Sequence, residues 1–199
     1  MTPWWWLNYQ ITGRFVLTTL QVGASLYDGL SPTATGASDM RFVAHAMAEQ
    51  RSIDAASATP PIGTFEERLD RHLRNQALTW ARKNPSAAAR LVLVKFLRMW
   101  NIWPNAGEMG GWTTRVLIAC GYLPLMIAAI GTIWKRLLGP WSNALAALPA
   151  VYFTALHVIF VSSIRYRQPA LLPLIALAVG GVYAVWRPPT TTEVSHGHG

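Results

Sequence analysis

Three apolar stretches in the C-terminal half decide the fold of this chain. They are VLIACGYLPLMIAAIGTIW at residues 116–134, NALAALPAVYFTALHVIFVSSI at 143–164 and PALLPLIALAVGGVYAVW at 169–186. Each is close to the ~20 apolar residues that a helix needs to cross the hydrocarbon of a bilayer. None keeps the polar face that a helix on a soluble core usually shows. We therefore expect three transmembrane helices in preference to three buried helices of a soluble domain.

The charges divide the chain at about the same place. Only 13% of the 199 residues are charged, whereas soluble domains carry about 25%. Residues 1–112 hold 11 of the 17 Lys and Arg and 8 of the 9 Asp and Glu. The sequence therefore predicts an all-α membrane protein with a helical and looped extramembrane region at 1–112. A transmembrane region follows at 113–187, and a disordered tail at 188–199.

The composition also limits the partners. The net charge is +8, but the basic residues are scattered and form no helix-turn-helix or RNA-binding signature. We therefore expect anionic membrane lipids, and no nucleic acid, as partners. Cys120 is the single cysteine, so an intramolecular disulfide is excluded. The chain has no phosphate-binding loop, dinucleotide fingerprint or zinc spacing, which predicts no cofactor and no metal.

Local signals place two helices in the extramembrane region. Thr64 and Glu67 have the spacing of a capping box, which predicts a helix that begins after Thr64. Asn84-Pro85 ends this helix and begins a second one, with Asn84 as its N-terminal cap and Pro85 at the first helical position, which suits proline. The second helix, about 85–101, carries Arg90, Lys95 and Arg98 on one arc and apolar residues elsewhere. It is predicted to lie on the bilayer surface. A core helix of a small soluble domain is the alternative.

The preceding part of the region is predicted to be mostly loop. A short extended piece is expected near residues 15–22, a loop rich in Gly, Ser, Thr and Pro at 29–38 and another loop at 55–63. A helix is expected at 39–51, with Ser38 as its N-terminal cap.

The candidate binding residues lie between the second and third apolar stretches. Arg165, Tyr166 and Arg167 form a tight hairpin there, and ionisable groups at membrane depth usually have a function. A guanidinium donates two parallel hydrogen bonds to a phosphate, so a lipid-linked phosphate is one expected ligand. The alternative is that these arginines only end a helix and extend to the headgroups. His157 is predicted to form a helix-packing hydrogen bond in preference to relaying protons.

Two motifs connect the chain to a known family. The first is Arg165-Tyr166-Arg167-x-Pro169-x-x-x-Pro173, which leads into the third apolar stretch. The second is PWWWLNYQITGRFV at residues 3–16, followed by GASLYDG at 23–29. Together they resemble the C-terminal portion of GT-C membrane glycosyltransferases, which include the protein O-mannosyltransferases of family 39 and the related aminoarabinose transferases. The resemblance covers most of this chain but only part of such an enzyme.

The resemblance implies a function, a location and an orientation. Such enzymes transfer a sugar from a polyprenyl-phosphate donor and are multi-pass proteins of the inner (plasma) membrane. The predicted spans place equal numbers of basic residues on the two sides of the membrane, so the positive-inside rule alone gives no orientation. The resemblance gives one, since residues 1–112 and the arginine hairpin would be exoplasmic. Ser25, Tyr27 and Asp28 would lie on a loop that walls the substrate cavity.

The catalytic base of the family lies in an early acidic loop that precedes the region matched here. No carboxylate of this chain occupies that position. The base is therefore not assigned to any of the candidate acidic residues, which are Asp28, Asp39, Asp54, Glu66, Glu67, Asp70 and Glu108. The chain is therefore expected to be the C-terminal part of a glycosyltransferase and inactive alone, in contact with other membrane helices. A small non-catalytic membrane anchor or assembly protein is the alternative.

Overall fold

The computed structural model describes residues 2–13, 15, 19–102 and 111–187 of the chain. These residues form an all-helical protein without strands, which confirms the all-α part of the predicted fold class, whereas the extramembrane region and its interfacial helix stay predictions. The helices are α1 (Thr2–Thr12), α2 (Val22–Gly29), α3 (Phe42–Ala56), α4 (Phe65–Lys83), α5 (Pro85–Trp100), α6 (Trp112–Trp134), α7 (Pro140–Ile159), a 3₁₀-helix (Ile164–Arg167) and α8 (Gln168–Trp186). Residues 16–18 of the predicted extended piece and the whole predicted tail lie outside the described residues; of the rest of that piece, Val22 begins α2.

Within the described residues, three helical segments are long and apolar enough to cross a membrane: Trp112–Trp134, Pro140–Ile159 and Ile164–Trp186. The second one differs from the prediction, since it ends at Ile159 and not at residue 164. The chain leaves the helix before Ser162, whose backbone N–H donates to the carbonyl of Gly36 over 3.1 Å. The end of α7 is therefore set by a contact distant in sequence.

By packing, the chain divides into two compact units. The N-terminal unit contains Met1–Asn101 and Thr154–Tyr166, and the apolar unit contains Ile102–Phe153 and Arg167–Gly199. The last turn of α7 and most of the 3₁₀-helix thus belong to the same compact unit as α1 to α5.

In the N-terminal unit, α2 packs against α4 where the sequence predicted a loop. The backbone N–H of Gly23 donates to the Asp70 carboxylate. A Cβ atom at position 23 would overlap the backbone of Asp70, so only glycine allows this approach. Leu73 and Ala77 of α4 are fully buried in this unit. The loop prediction for residues 23–29 was therefore wrong, because a tertiary contact stabilises a short helix there.

Two other local predictions have mixed outcomes. The capping box is present, with the Thr64 side chain accepting from the Glu67 N–H and the Glu67 carboxylate accepting from the Thr64 N–H. Helix α3, however, begins at Phe42 and not at Asp39. Ser38 does not cap it, because the Ser38 hydroxyl donates to the carboxylate of Asp28 over 2.7 Å.

In the apolar unit, α6 packs against α8 through small residues. The Thr132 side chain lies where a Cβ atom at Gly181 would be, and the Leu138 side chain lies beside Gly180. Glycine lets the helix backbones approach closely, as is typical of helix pairs in membranes. Helix α7, in contrast, buries none of its residues in the described structure.

Candidate functional site

The hairpin predicted to bind phosphate forms the 3₁₀-helix Ile164–Arg167, and its three side chains have different surroundings. Arg165 is exposed. The Tyr166 ring stacks on the His157 ring, with centroids 4.1 Å apart and planes 5° from parallel. His157 Nδ1 lies 3.0 Å from the carbonyl oxygen of Val161, four residues later, so this contact is local and the predicted hydrogen bond between helices stays a prediction. The contacts of Tyr166 and His157 thus hold the turn that follows α7.

Arg167 belongs to the apolar unit and is only 5% exposed. Its guanidinium carbon lies 4.1 Å from the centroid of the Tyr122 ring, which is cation–π geometry. Arg165 and Arg167 therefore have different environments, although they are two residues apart. A 3₁₀-helix turns about 120° per residue, so alternate residues point in different directions.

The residues predicted to wall a cavity lie on α2 and not on a loop. Asp28 is buried, and its two carboxylate oxygens accept from the Ser38 hydroxyl and the Asp39 N–H over 2.7 and 2.8 Å. The Tyr27 ring packs against the Phe42 ring, with centroids 4.8 Å apart. Ser25 is partly buried within the same helix.

Asp28 contributes to a cavity of about 370 Å³ in the N-terminal unit. Asp28 and Ser31 are buried at its floor, and the exposed ion pair between Asp39 and Arg41 lies at its rim. The remaining lining residues are Thr33, Ala34, Thr35, Ala37 and Phe42. The cavity volume is within the usual range for small-molecule sites. Of the three residues predicted here, Asp28 alone lines this cavity.

The Asp39 carboxylate is poorly suited to act as a general base at neutral pH. The Arg41 guanidinium, through its hydrogen bond, lowers the pKa of Asp39 to about 2, whereas a general base is most effective with a pKa near the working pH. Both oxygens of Asp28 already accept hydrogen bonds. This agrees with leaving the base unassigned. Among the described residues, no group of three or more His, Cys, Asp or Glu is placed to hold a metal.

Lys95 is a buried cation that the sequence pattern placed on a surface arc of α5. Its side chain is fully buried, and its Nζ donates to the carbonyl of Ile159 over 2.7 Å. That carbonyl is at the end of α7, where backbone acceptors lack partners in the helix and a cation is favourable. Burial lowers the pKa of Lys95 to about 8, against the opposing effect of the Asp28 charge. Lys95 therefore links α5 to the end of α7, and no local signal indicates this.

The comparisons with known proteins add no relative. No protein-family model, curated protein or solved structure matches the chain.

Proposed function

We propose that this chain is the C-terminal part of a membrane glycosyltransferase of the GT-C type that uses a polyprenyl-phosphate-linked sugar. The observation that carries the proposal is the position of Arg167. This cation is buried immediately before the apolar helix α8 and against Tyr122 of the apolar helix α6. A guanidinium at the end of a membrane helix lies at the depth of lipid phosphates, and its planar fork suits them. The motif around Arg167 resembles the late-helix motif of these enzymes.

In this proposal the cavity near Asp28 faces the polar part of a substrate. The N-terminal unit and the arginine hairpin are exoplasmic, and the turn at Lys135 and Arg136 is cytoplasmic. The base and the remaining helices belong to other parts of the enzyme, so the chain alone does not catalyse transfer. The uncovered surface of α7 supports contacts with lipid or with further helices.

The outer surface of α5 supports the proposed contact with the bilayer. Val92, Leu93, Phe96 and Leu97 are 42–58% exposed and recur at helical spacing, whereas the charged Lys95 is buried on another side of the helix. This apolar stripe on a helix outside the three apolar segments fits the headgroup boundary of a membrane.

One cysteine-labelling experiment tests both the orientation and the bilayer contact. In a Cys120→Ser background, single cysteines replace Arg165, Lys135, Leu93 or Asn75, and membranes are treated with an impermeant maleimide. We expect labelling at 165 from the exoplasmic side and at 135 only after the membrane is opened. Position 93 should react in detergent but be protected in membranes, with the exposed position 75 of α4 reactive in both. Labelling of 165 and 135 from one side would contradict the orientation.

The function itself is tested by ligand binding. The detergent-solubilised full chain is titrated with farnesyl phosphate, and bound ligand is counted by native mass spectrometry. We expect Arg167→Gln to weaken binding at least tenfold, because a charge-assisted bidentate contact is lost. Arg187→Gln, at the exposed far end of α8, is the matched control and should bind like the wild type. Equal affinity of the Arg167→Gln and wild-type proteins would refute the proposed role.

A further inference from the structure

Arg115 of the apolar unit has a buried donor group that the proposed function has not used. Arg115 lies in the first turn of α6, after Trp112, and is only partly exposed. Its Nε is buried and has no hydrogen-bond partner among the described residues. A buried guanidinium donor without an acceptor is costly, so an acceptor is expected to occupy this place in the functional state.

Arg115 and Arg167 lie at the same end of the helix pair. Tyr122 of α6 is level with Arg167, and further along Thr132 is level with Gly181 of α8. Sequence numbers increase in the same direction along both helices, so α6 and α8 run parallel and their N-termini share one end of the unit. Arg115 precedes Tyr122 by two helical turns, or about 10 Å along the axis. Two extended arginine side chains can approach one phosphate group across that separation.

The electrostatics of this end favour an anion. The described residues of the apolar unit contain no Asp or Glu; Glu108 and Glu193 lie outside them. Neither α6 nor α8 receives a side-chain cap at its N-terminus from the described residues. Helix N-termini carry a partial positive charge that adds to that of the two arginines.

We propose that Arg115 and Arg167 together bind the phosphate of a membrane lipid, and that Arg165 does not. The proposal rests on the proposed function for the role of Arg167, and it adds Arg115, a residue that the hairpin motif does not contain. Arg167 approaches the phosphate from beside Tyr122, and the Arg115 Nε–H donates from the first turn of α6. The phosphate thereby lies at the α6–α8 end of the apolar unit.

The test compares single substitutions in the solubilised full chain with three probes: farnesyl phosphate, dioleoyl phosphatidic acid and uncharged farnesol. We expect Arg115→Gln to weaken binding of farnesyl phosphate at least tenfold, as Arg167→Gln does, because each removes charge-assisted hydrogen bonds. Arg165→Gln should stay within twofold of the wild type. Lys135→Gln is the matched control, since Lys135 is exposed at the opposite end of α6. Farnesol should bind weakly and equally to all variants.

The outcomes separate this inference from the proposed function. If Arg115→Gln weakens binding of both phosphates equally, the site recognises lipid phosphate in general, which supports the inference but contradicts selectivity for a polyprenyl donor. If Arg167→Gln weakens farnesyl phosphate binding and Arg115→Gln stays within twofold, the inference is overturned and the proposed function remains.

A second variant covers the case in which Arg115→Gln does not fold. Arg115→Lys keeps the charge but loses the planar fork, so we expect an affinity about three- to tenfold below that of the wild type. Wild-type affinity in Arg115→Lys, with an unchanged helical circular-dichroism spectrum, would also overturn the inference.

Discussion

Replacing Gly181 with leucine is expected to separate α6 from α8 and to destabilise the apolar unit by about 3 kcal/mol or more. The Thr132 side chain occupies the place of a Cβ atom at position 181, and the hydroxyl of Thr132 donates to the Ala128 carbonyl over 2.8 Å. The threonine cannot give way without breaking that bond. Thermal unfolding of the full chain in detergent, followed by circular dichroism, measures the loss.

The matched control is Gly121→Leu on α6. A Cβ atom at position 121 meets no atom within 4 Å, so the larger side chain extends into open space. We expect the Gly121→Leu protein to unfold within a few degrees of the wild type. Because α6 and α8 also hold Tyr122 and Arg167, the Gly181→Leu protein should lose farnesyl phosphate binding as well. Similar unfolding temperatures for the two variants would contradict the α6–α8 contact.

The second large effect is a dependence of stability on pH that comes from Lys95. Its pKa is about 8 in the folded chain, because burial disfavours the charged form, and 10.5 in the unfolded chain. Below pH 8 the lysine is protonated in both the folded and the unfolded chain, so the burial of its charge lowers the free energy of unfolding by its full amount. Between pH 8 and 10.5 only the unfolded state binds the proton, so stability rises with pH. Allowing for screening by nearby solvent, we expect a gain of about 2 kcal/mol across this window.

Lys95→Met isolates this contribution from those of other groups that titrate at alkaline pH. The methionine side chain has a similar length and no charge, so the gain assigned to Lys95 should be absent from the variant. Lys83→Met, at an exposed position of α4, serves as the control and should keep the wild-type dependence. Chemical unfolding measured at pH 7.5 and at about pH 10 gives the difference. Parallel curves for the wild-type and Lys95→Met proteins would show that the lysine is not buried as described.

The sequence predicted those elements that local signals specify. Uninterrupted apolar runs predicted the three long helices, and the Thr64–Glu67 capping box and Asn84-Pro85 gave the bounds of α4 and α5 within a residue. Asn84 was expected to cap α5. Its side chain instead donates back to the Trp80 carbonyl at the end of α4, over 3.0 Å, so this residue contributes to ending the first helix.

The features that the sequence did not reveal depend on contacts between distant residues. Helix α2 has a glycine near its start and another at its end, which is typical of a loop, and its stabilising partner Asp70 lies 47 positions away from Gly23. Lys95 looked like a surface charge, because its partner Ile159 lies 64 positions later in the chain. In both cases tertiary packing outweighs the local preference.

The candidate site shows the same distinction. Because Arg165, Tyr166 and Arg167 are adjacent in the sequence, they were predicted to act together. The 3₁₀ geometry instead exposes Arg165 to solvent and buries Arg167. Arg115 carries no local motif. It becomes a candidate only once the parallel arrangement of α6 and α8 places it at the same end as Arg167.

The most direct test of the central claim is whether the wild-type chain distinguishes a polyprenyl phosphate from the corresponding alcohol and from a diacyl phosphate. Farnesyl phosphate, farnesol and phosphatidic acid are offered together to the solubilised protein, and the retained ligands are counted by native mass spectrometry. The proposed function predicts preferential retention of farnesyl phosphate, at least tenfold over farnesol. Farnesol has no phosphate, and the charge-assisted hydrogen bonds that it cannot form account for a factor of about ten or more. Equal retention of all three would contradict it.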